Sequence, residues 1–233
     1  MKKVGIIIFV IALIGGVIVA NFFSFGRMPG SLFNFTCGFG SVKGSGNVTT
    51  DRRLVSGFKA VDVGGAFQVE ITAQKDFGVE VVADDNLLPY VKTDVSGGVL
   101  RIESERRFST NNPLLVRVSA PDINNLDISG AANVTVNDLK NDSFAVDGSG
   151  ASKIALNGET SKLTLDVSGA TKVDAENLKA VNATIESSGA SHVSVNVSGE
   201  LTADASGASR VVYTGTPSNV VSKHSGAGSV AQK

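Results

Sequence analysis

The chain has 233 residues, enough for one ordinary domain or two small ones with a buried core. Its 21 Lys and Arg against 22 Asp and Glu leave a net charge of −1, which excludes a general electrostatic pull toward nucleic acid or an anionic surface. The absence of tryptophan argues against a stacking platform for bases, and 26 glycines point to many tight turns.

The N-terminal stretch MKKVGIIIFVIALIGGVIVANFF sets Lys2 and Lys3 before a charge-free apolar run from Val4 to Ala20. A run of this length approaches what a helix needs to cross a bilayer. An A-x-A pattern, which would mark cleavage, is not matched, because Ile18 and Ala20 fill the two places. Residues 1–25 are therefore expected to form a transmembrane anchor, with a cleaved signal segment of a secreted protein as the alternative. The leading lysines orient the remainder away from the cytoplasm. Residues 26–40 read as a stem. Cys37 is the only cysteine, so no disulfide can form within the chain, and the NFTC around it does not match a bacterial lipobox.

Residues 41–120 carry several strand signals: GSGNV at 44–48, AVDVGGAFQVEI from Ala60 to Ile71, then GVEVVAD, VKTDVSGGVLRIES and LLVRVSA. The middle of the last three folds back on itself as a hairpin at Ser96, Gly97 and Gly98. This region is expected to hold the first coils and a small β-subdomain or cap.

From residue 121 to 233 the pattern becomes regular. Ser-Gly-Ala recurs at Ser129, Ser149, Ser168, Ser188, Ser206 and Ser225, at intervals of 20, 19, 20, 18 and 19 residues. Five places after each Ser stands a β-branched residue: Val134, Ile154, Val173, Val193, Val211 and Val230. Before the Ser, apolar residues fall five, three and one places back, as in Leu163, Leu165 and Val167. Alternation at period two on both sides of the turn predicts two short strands per repeat, each with one buried face. The fold class that follows is all-β: a parallel β-helix or solenoid of about 19-residue coils, in which like residues stack on like. Ser-Gly-Ala is the corner, its glycine supplying a positive φ. Ala60–Ile71 fits the same frame with Gly64 in the Ser position and Val69 five places on, whereas GSGNV fits poorly.

The succession of GSGN, VDVGGAFQVEI, LLPYVKTDVSGGVLRI, APDINNLDISGAANV and closing SGAS coils resembles the head GIN domain of auto-transporter adhesins, over about residues 40 to 230. The resemblance implies a right-handed parallel β-helix on a bacterial cell-envelope protein, with an adhesive or binding role. It brings no catalytic residues.

Two outward rows carry the charge. Two places before each Ser stand Asp127, Asp147, Asp166, Glu186 and Asp204, with Lys223 in the last coil; four places after stand Asn133, Lys153, Lys172, His192 and Arg210, then Ser229. Carboxylates about 5 Å apart repel by about 1 kcal/mol even in water. Three readings are open. The rows neutralise each other across the corner as solvated pairs, or they form a ruled surface for a repetitive polymer, or a cation such as Ca²⁺ bridges neighbouring carboxylates. The dense Asp-Gly pattern of calcium-binding rolls is missing, so no metal ligand is assigned.

Catalytic and cofactor residues are likewise not assigned. His192 and His224 lie in the outward row and the terminal coil, no G-x-S-x-G elbow is present, and phosphate loops, zinc spacings and dinucleotide fingerprints are missing. The expected function is non-enzymatic: an envelope module that binds a surface polysaccharide or protein through the side of the solenoid, and no nucleic acid. A self-associating structural scaffold is the alternative, and a carbohydrate-active enzyme using paired carboxylates is a third class.

Overall fold

Period-two alternation is realised as strand throughout the described residues, 40–233, of this computed structural model; helix is limited there to one 3-10 turn at Leu88–Tyr90. The anchor or signal segment expected over 1–25, Cys37, and the stem apart from Gly40 lie outside the described residues. Among those described, no helix is long and apolar enough to cross a membrane.

Eighteen strands follow in chain order. The first nine are β1 (Val42–Lys43), β2 (Val48–Arg53), β3 (Ala60–Gly65), β4 (Gln68–Thr72), β5 (Gly78–Asp84), β6 (Val91–Ser96), β7 (Val99–Ser104), β8 (Phe108–Ser109) and β9 (Leu115–Ser119). The rest are β10 (Asn125–Gly130), β11 (Asn133–Gly148), β12 (Lys153–Val167), β13 (Lys172–Ser187), β14 (His192–Val197), β15 (Glu200–Ala205), β16 (Arg210–Thr214), β17 (Asn219–His224) and β18 (Ser229–Gln232). From β10 onward every pairing is parallel, so the chain is a β-solenoid, as its period requires.

Each coil is pinned at its Ser-Gly-Ala corner. Gly150 has φ +89°, and a Cβ built on it would lie 2.3 Å from the carbonyl oxygen of Gly130, so only glycine fits. The next residue continues the ladder through the turn: the Ala151 N–H donates to Gly130 O at 2.8 Å, and Ala170 donates to Gly150 O at 2.8 Å. The inter-coil hydrogen bonding thus continues through the corner, where the glycine carbonyl of one coil accepts from the alanine N–H of the next. Immediately inside it runs a file of buried hydroxyls. Ser152 and Thr171 approach each other at 3.3 Å, Thr171 donates to Ser168 O at 2.9 Å, and Ser191 donates to Ser188 O at 3.0 Å.

The core is the set of in-register inward rows. Val69, Val134, Ile154, Val173, Val193 and Val211 stack across successive coils and are at most 2 % exposed. On the facing side the inward rows run from Leu163, Leu165 and Val167, through Ala183, Ile185 and Ser187, to Leu201, Ala203 and Ala205. The last coil puts Val220, Ser222 and His224 in those places, all exposed, and Gln232 beneath Tyr213. Polar residues at inward positions make a terminal coil that gains little from accepting another on top.

The structure departs from the sequence reading in two respects. The two short strands expected per repeat are fused in β11, β12 and β13, which run 15 or 16 residues from one corner to the next. The bend opposite the corner is not a turn but an irregularity in a continuing parallel ladder, with Asp138 at φ 58° in the first coil and Gly158 at φ 131° in the next. The variation in coil length falls away from the corner: the register shifts between Val136 and Leu139, between Ala155 and Gly158, and between Ala175 and Lys179, and again where Ala180 pairs with Val197 but Ala183 with Leu201, while the corner strands stay aligned.

The second departure lies before residue 120. The sequence loses its register there, yet β7 pairs in parallel with β3 and β9 with β4, so β7 and β9 form a further coil stacked on the other side of β3 and β4 from β10 and β11. The hairpin β6–β7 turns at Gly97 and Gly98 as expected, and antiparallel β5 and β2 continue the opposite face. The GSGN stretch is no corner. The buried Asp84 carboxylate accepts from Thr110 and Asn112, each at 2.6 Å, and a Cβ on Gly44 would lie 1.8 Å from it. Asn86 adds bonds to the Ser45 N–H at 2.9 Å and to Lys43 O at 2.8 Å, tying residues 43–47 to the turn after β5.

Two variants test this register by denaturant unfolding. Gly150→Ala is expected to cost on the order of 3 kcal/mol, from its strained φ and the clash with Gly130. Val173→Asp, which buries an unpaired charge in place of a core methyl pair, is expected to unfold or shorten the stack; Lys172→Ser on its outward neighbour should stay within about 0.5 kcal/mol of the parent.

Candidate functional site

Because the corners keep register, side chains at a fixed distance from them line up along the axis at the strand spacing of about 4.8 Å. The acidic positions pair in succession as Asp127, Asp147, Asp166, Glu186 and Asp204, ending at Lys223. The row is longer than the repeats alone suggest. Asp62 pairs with Asp127, and Arg101 lies beyond Asp62, bound to it at 3.1 Å. Six carboxylates are therefore bracketed by an arginine at one end and a lysine at the other. Asp62 could have been found from sequence, since it stands two places before Gly64 in the aligned frame.

On the other side of the corner, Asn133, Lys153, Lys172, His192 and Arg210 likewise pair one above the next, preceded by Gln68 and followed by Ser229. Among the described residues no ion pair joins the two rows, nor do Lys153, Lys172, His192 or Arg210 pair with any other carboxylate. Mutual neutralisation across the corner is thus not built as direct contacts. The N-terminal strands show what built neutralisation looks like here: Arg52, Glu80, Arg117 and Glu70 alternate across four neighbouring strands, with Arg52–Glu80 at 2.9 Å and Arg117–Glu70 at 3.3 Å.

Charge crowding is felt at the inner part of the acidic row. Asp127 is exposed as a residue, yet partial desolvation of its carboxyl, then the charges of Asp62 and Asp147, hold it above the ordinary carboxylate range, with Arg101 pulling the other way. Asp84 moves in the opposite direction. The Thr110 hydroxyl and the Asn112 amide hold it below that range against its burial, and the Gly46 N–H adds to them.

The chain is thus a parallel β-solenoid with in-register charged rows on either side of its Ser-Gly-Ala corner. The family model described as "Putative auto-transporter adhesin, head GIN domain" matches residues 57–217, and the chain belongs to that family. Three crystal structures, each named a "putative adhesin", share the fold. The one from Bacteroides fragilis NCTC 9343 has a TM-score of 0.70 at 17 % identity, covering 83 % of this chain and 100 % of that one. That from Parabacteroides distasonis ATCC 8503 has a TM-score of 0.50 at 19 % identity, covering 83 % and 100 %. That from Parabacteroides merdae ATCC 43184 has a TM-score of 0.50 at 18 % identity, covering 83 % and 99 %. At these identities the likeness carries the fold alone. Comparison with curated proteins finds no match.

The opposed shifts of the two aspartates predict opposite pH behaviour. The stability that Asp84 contributes is present above the ordinary carboxylate range and is lost as the pH falls through its lowered value. Asp127 instead imposes a cost above its raised value that is relieved as the pH falls toward the ordinary one. In thermal unfolding across acid and neutral pH, Asp127→Asn should stabilise at neutral pH by less than about 1 kcal/mol and lose that advantage in acid. Asp84→Asn should destabilise at neutral pH, with the gap closing in acid.

Proposed function

We propose that the chain is a non-enzymatic binding module of the bacterial cell envelope, which holds a repetitive surface polymer along the Ser-Gly-Ala corner. The observation that carries this reading is that, among the described residues, no ion pair is made by Asp127, Asp147, Asp166, Glu186, Asp204, Lys153, Lys172, His192 or Arg210, whereas Arg52, Glu80, Arg117 and Glu70 alternate in sign on the N-terminal strands. Like charges held one per coil repel, and that cost is offset when a partner brings complementary groups at a matching repeat. The cationic row, Lys153, Lys172, His192 and Arg210, suits carboxylate or phosphate groups spaced along a polysaccharide. The carboxylates of Asp127, Asp147, Asp166, Glu186 and Asp204 suit its hydroxyls and amines. Solenoids use extended side faces in this manner, because each repeat adds one more equivalent contact and many weak contacts sum to useful avidity. The envelope location rests on the family together with the N-terminal lysines and apolar run.

The alternative of end-to-end assembly is disfavoured by one feature, the exposed polar residues Ser222, His224 and Gln232 at the inward positions of the last coil.

The test uses residues 40–233, incubated with purified envelope polysaccharides and peptidoglycan, beside a variant with Lys153, Lys172 and Arg210 all changed to Ser. The parent is expected to co-sediment with an anionic polymer in a salt-sensitive manner, and the triple variant to lose most of that binding at unchanged melting temperature. Equal binding by both proteins, or none by either, removes the row as the site.

A further inference from the structure

A cleft of about 400 Å³ that neither charged row touches lies where burial stops alternating, at residues 142–143, 161–162 and 181–182 of three successive coils. Coil length changes beside it. After Ala175 pairs with Val195, the next pair is Lys179 with Asn196, so residues 176–178 of the longer coil have no counterpart in the shorter one. The shorter coil then gains one residue, since Ala180 pairs with Val197 but Ala183 with Leu201, and the Gly199 N–H donates to Val181 O at 2.7 Å.

Val181 is 47 % exposed, and among the described residues between 121 and 214 it is the one large apolar side chain so placed. The floor of the cleft is fixed. Thr160, only 4 % exposed, donates its hydroxyl to Asn141 Oδ1 at 2.8 Å, and Asn141 Nδ2 donates to Ile123 O at 2.7 Å. Charge runs across the floor as Lys140, Glu159 and Lys179 on three neighbouring strands. Glu159 pairs with Lys140 at 3.6 Å, whereas the Lys179 ammonium has no ion pair among the described residues. Ser161 and Ser198 add hydroxyls on the walls.

We propose that this cleft is a saccharide subsite, independent of the charged rows, that takes a short run of sugar residues bearing a carboxylate. The volume admits a few pyranose rings rather than an extended chain. Val181 offers an apolar surface to the C–H face of a ring, the Ser hydroxyls and the Asp142 and Glu159 carboxylates meet ring hydroxyls, and Lys179 is the free counter-ion for an acidic group. The Asn141–Thr160 pair holds the floor in place before the ligand arrives, which lowers the cost of ordering it.

Trigalacturonate serves as the acidic probe and maltotriose as the neutral one, each titrated calorimetrically into the full chain in mild detergent. The expected result is weak binding of trigalacturonate, about tenfold weaker binding of maltotriose, and about tenfold loss for trigalacturonate in Lys179→Ser, equivalent to one charge-assisted contact. Val181→Asp should also weaken it. Both substitutions are on exposed side chains, so thermal unfolding should match the parent. The triple Ser variant of Lys153, Lys172 and Arg210 should retain trigalacturonate binding in full. Loss in that triple variant with retention in Lys179→Ser would overturn the cleft while leaving the corner row as the binding surface. Equal affinity for the two probes, or no heat with either, would also overturn the cleft proposal.

Discussion

The structure depends on one backbone contact, the glycine of each corner lying against the glycine carbonyl of the corner before it. At Gly150, Gly169, Gly189 and Gly207 the approach leaves no room for a Cβ, and φ lies between +71° and +89°. The following alanine N–H closes a hydrogen bond of 2.7 or 2.8 Å to the preceding glycine from Ala151 through Ala208. Close approach and bond together fix the rise between coils and their rotation about the axis. Once those are fixed, every position counted from the corner must fall into a row, whether it holds Val inside or Asp outside.

The two bends of the coil therefore divide the labour. The corner tolerates no change of length, so whatever flanks it is ordered and periodic: the carboxylate row, the cationic row and the buried hydroxyls. The opposite bend absorbs additions and deletions, so it is irregular and offers local shape. The proposed function gives the rows a partner with a repeat, and the proposed subsite gives the cleft a short acidic saccharide. A solenoid with one rigid and one permissive edge can carry both kinds of contact without compromise in its core.

Most of the repeat region was legible from sequence because neighbouring coils write the same residues at the same distance from Ser-Gly-Ala. The inward Val row, the positive-φ glycines and the registers of Asp166 over Glu186 and Lys172 over His192 all follow from counting. Three things did not. The coil made by β7 and β9 was hidden because its corner is expanded into residues 105–114, without a Ser-Gly-Ala, and because it stacks against an earlier coil rather than the next one. Fusion of strands across the second bend depends on hydrogen bonds that composition does not report. The cleft beside Val181 lies next to a change of coil length, visible as the intervals of 20 and 18 but not interpretable without knowing where in the coil it is absorbed. The charged rows were thus readable as a pattern, while the cleft beside Val181 was not.

The position of β3 and β4, between a coil formed by residues 99–119 and another formed by residues 125–137, also constrains how the chain can acquire its structure. A polypeptide emerging from its N-terminal end cannot cover the β3–β4 layer on one side until about 47 further residues have followed Thr72, nor on the other until about 65 have, so the early segment carries unsatisfied strand edges while it waits. Beyond Ser129 the situation reverses: each coil can dock on the finished surface of the one before, with a loop closure of only about 20 residues. The irregular N-terminal half therefore depends on distant pairings, whereas each repeat depends on its immediate neighbour.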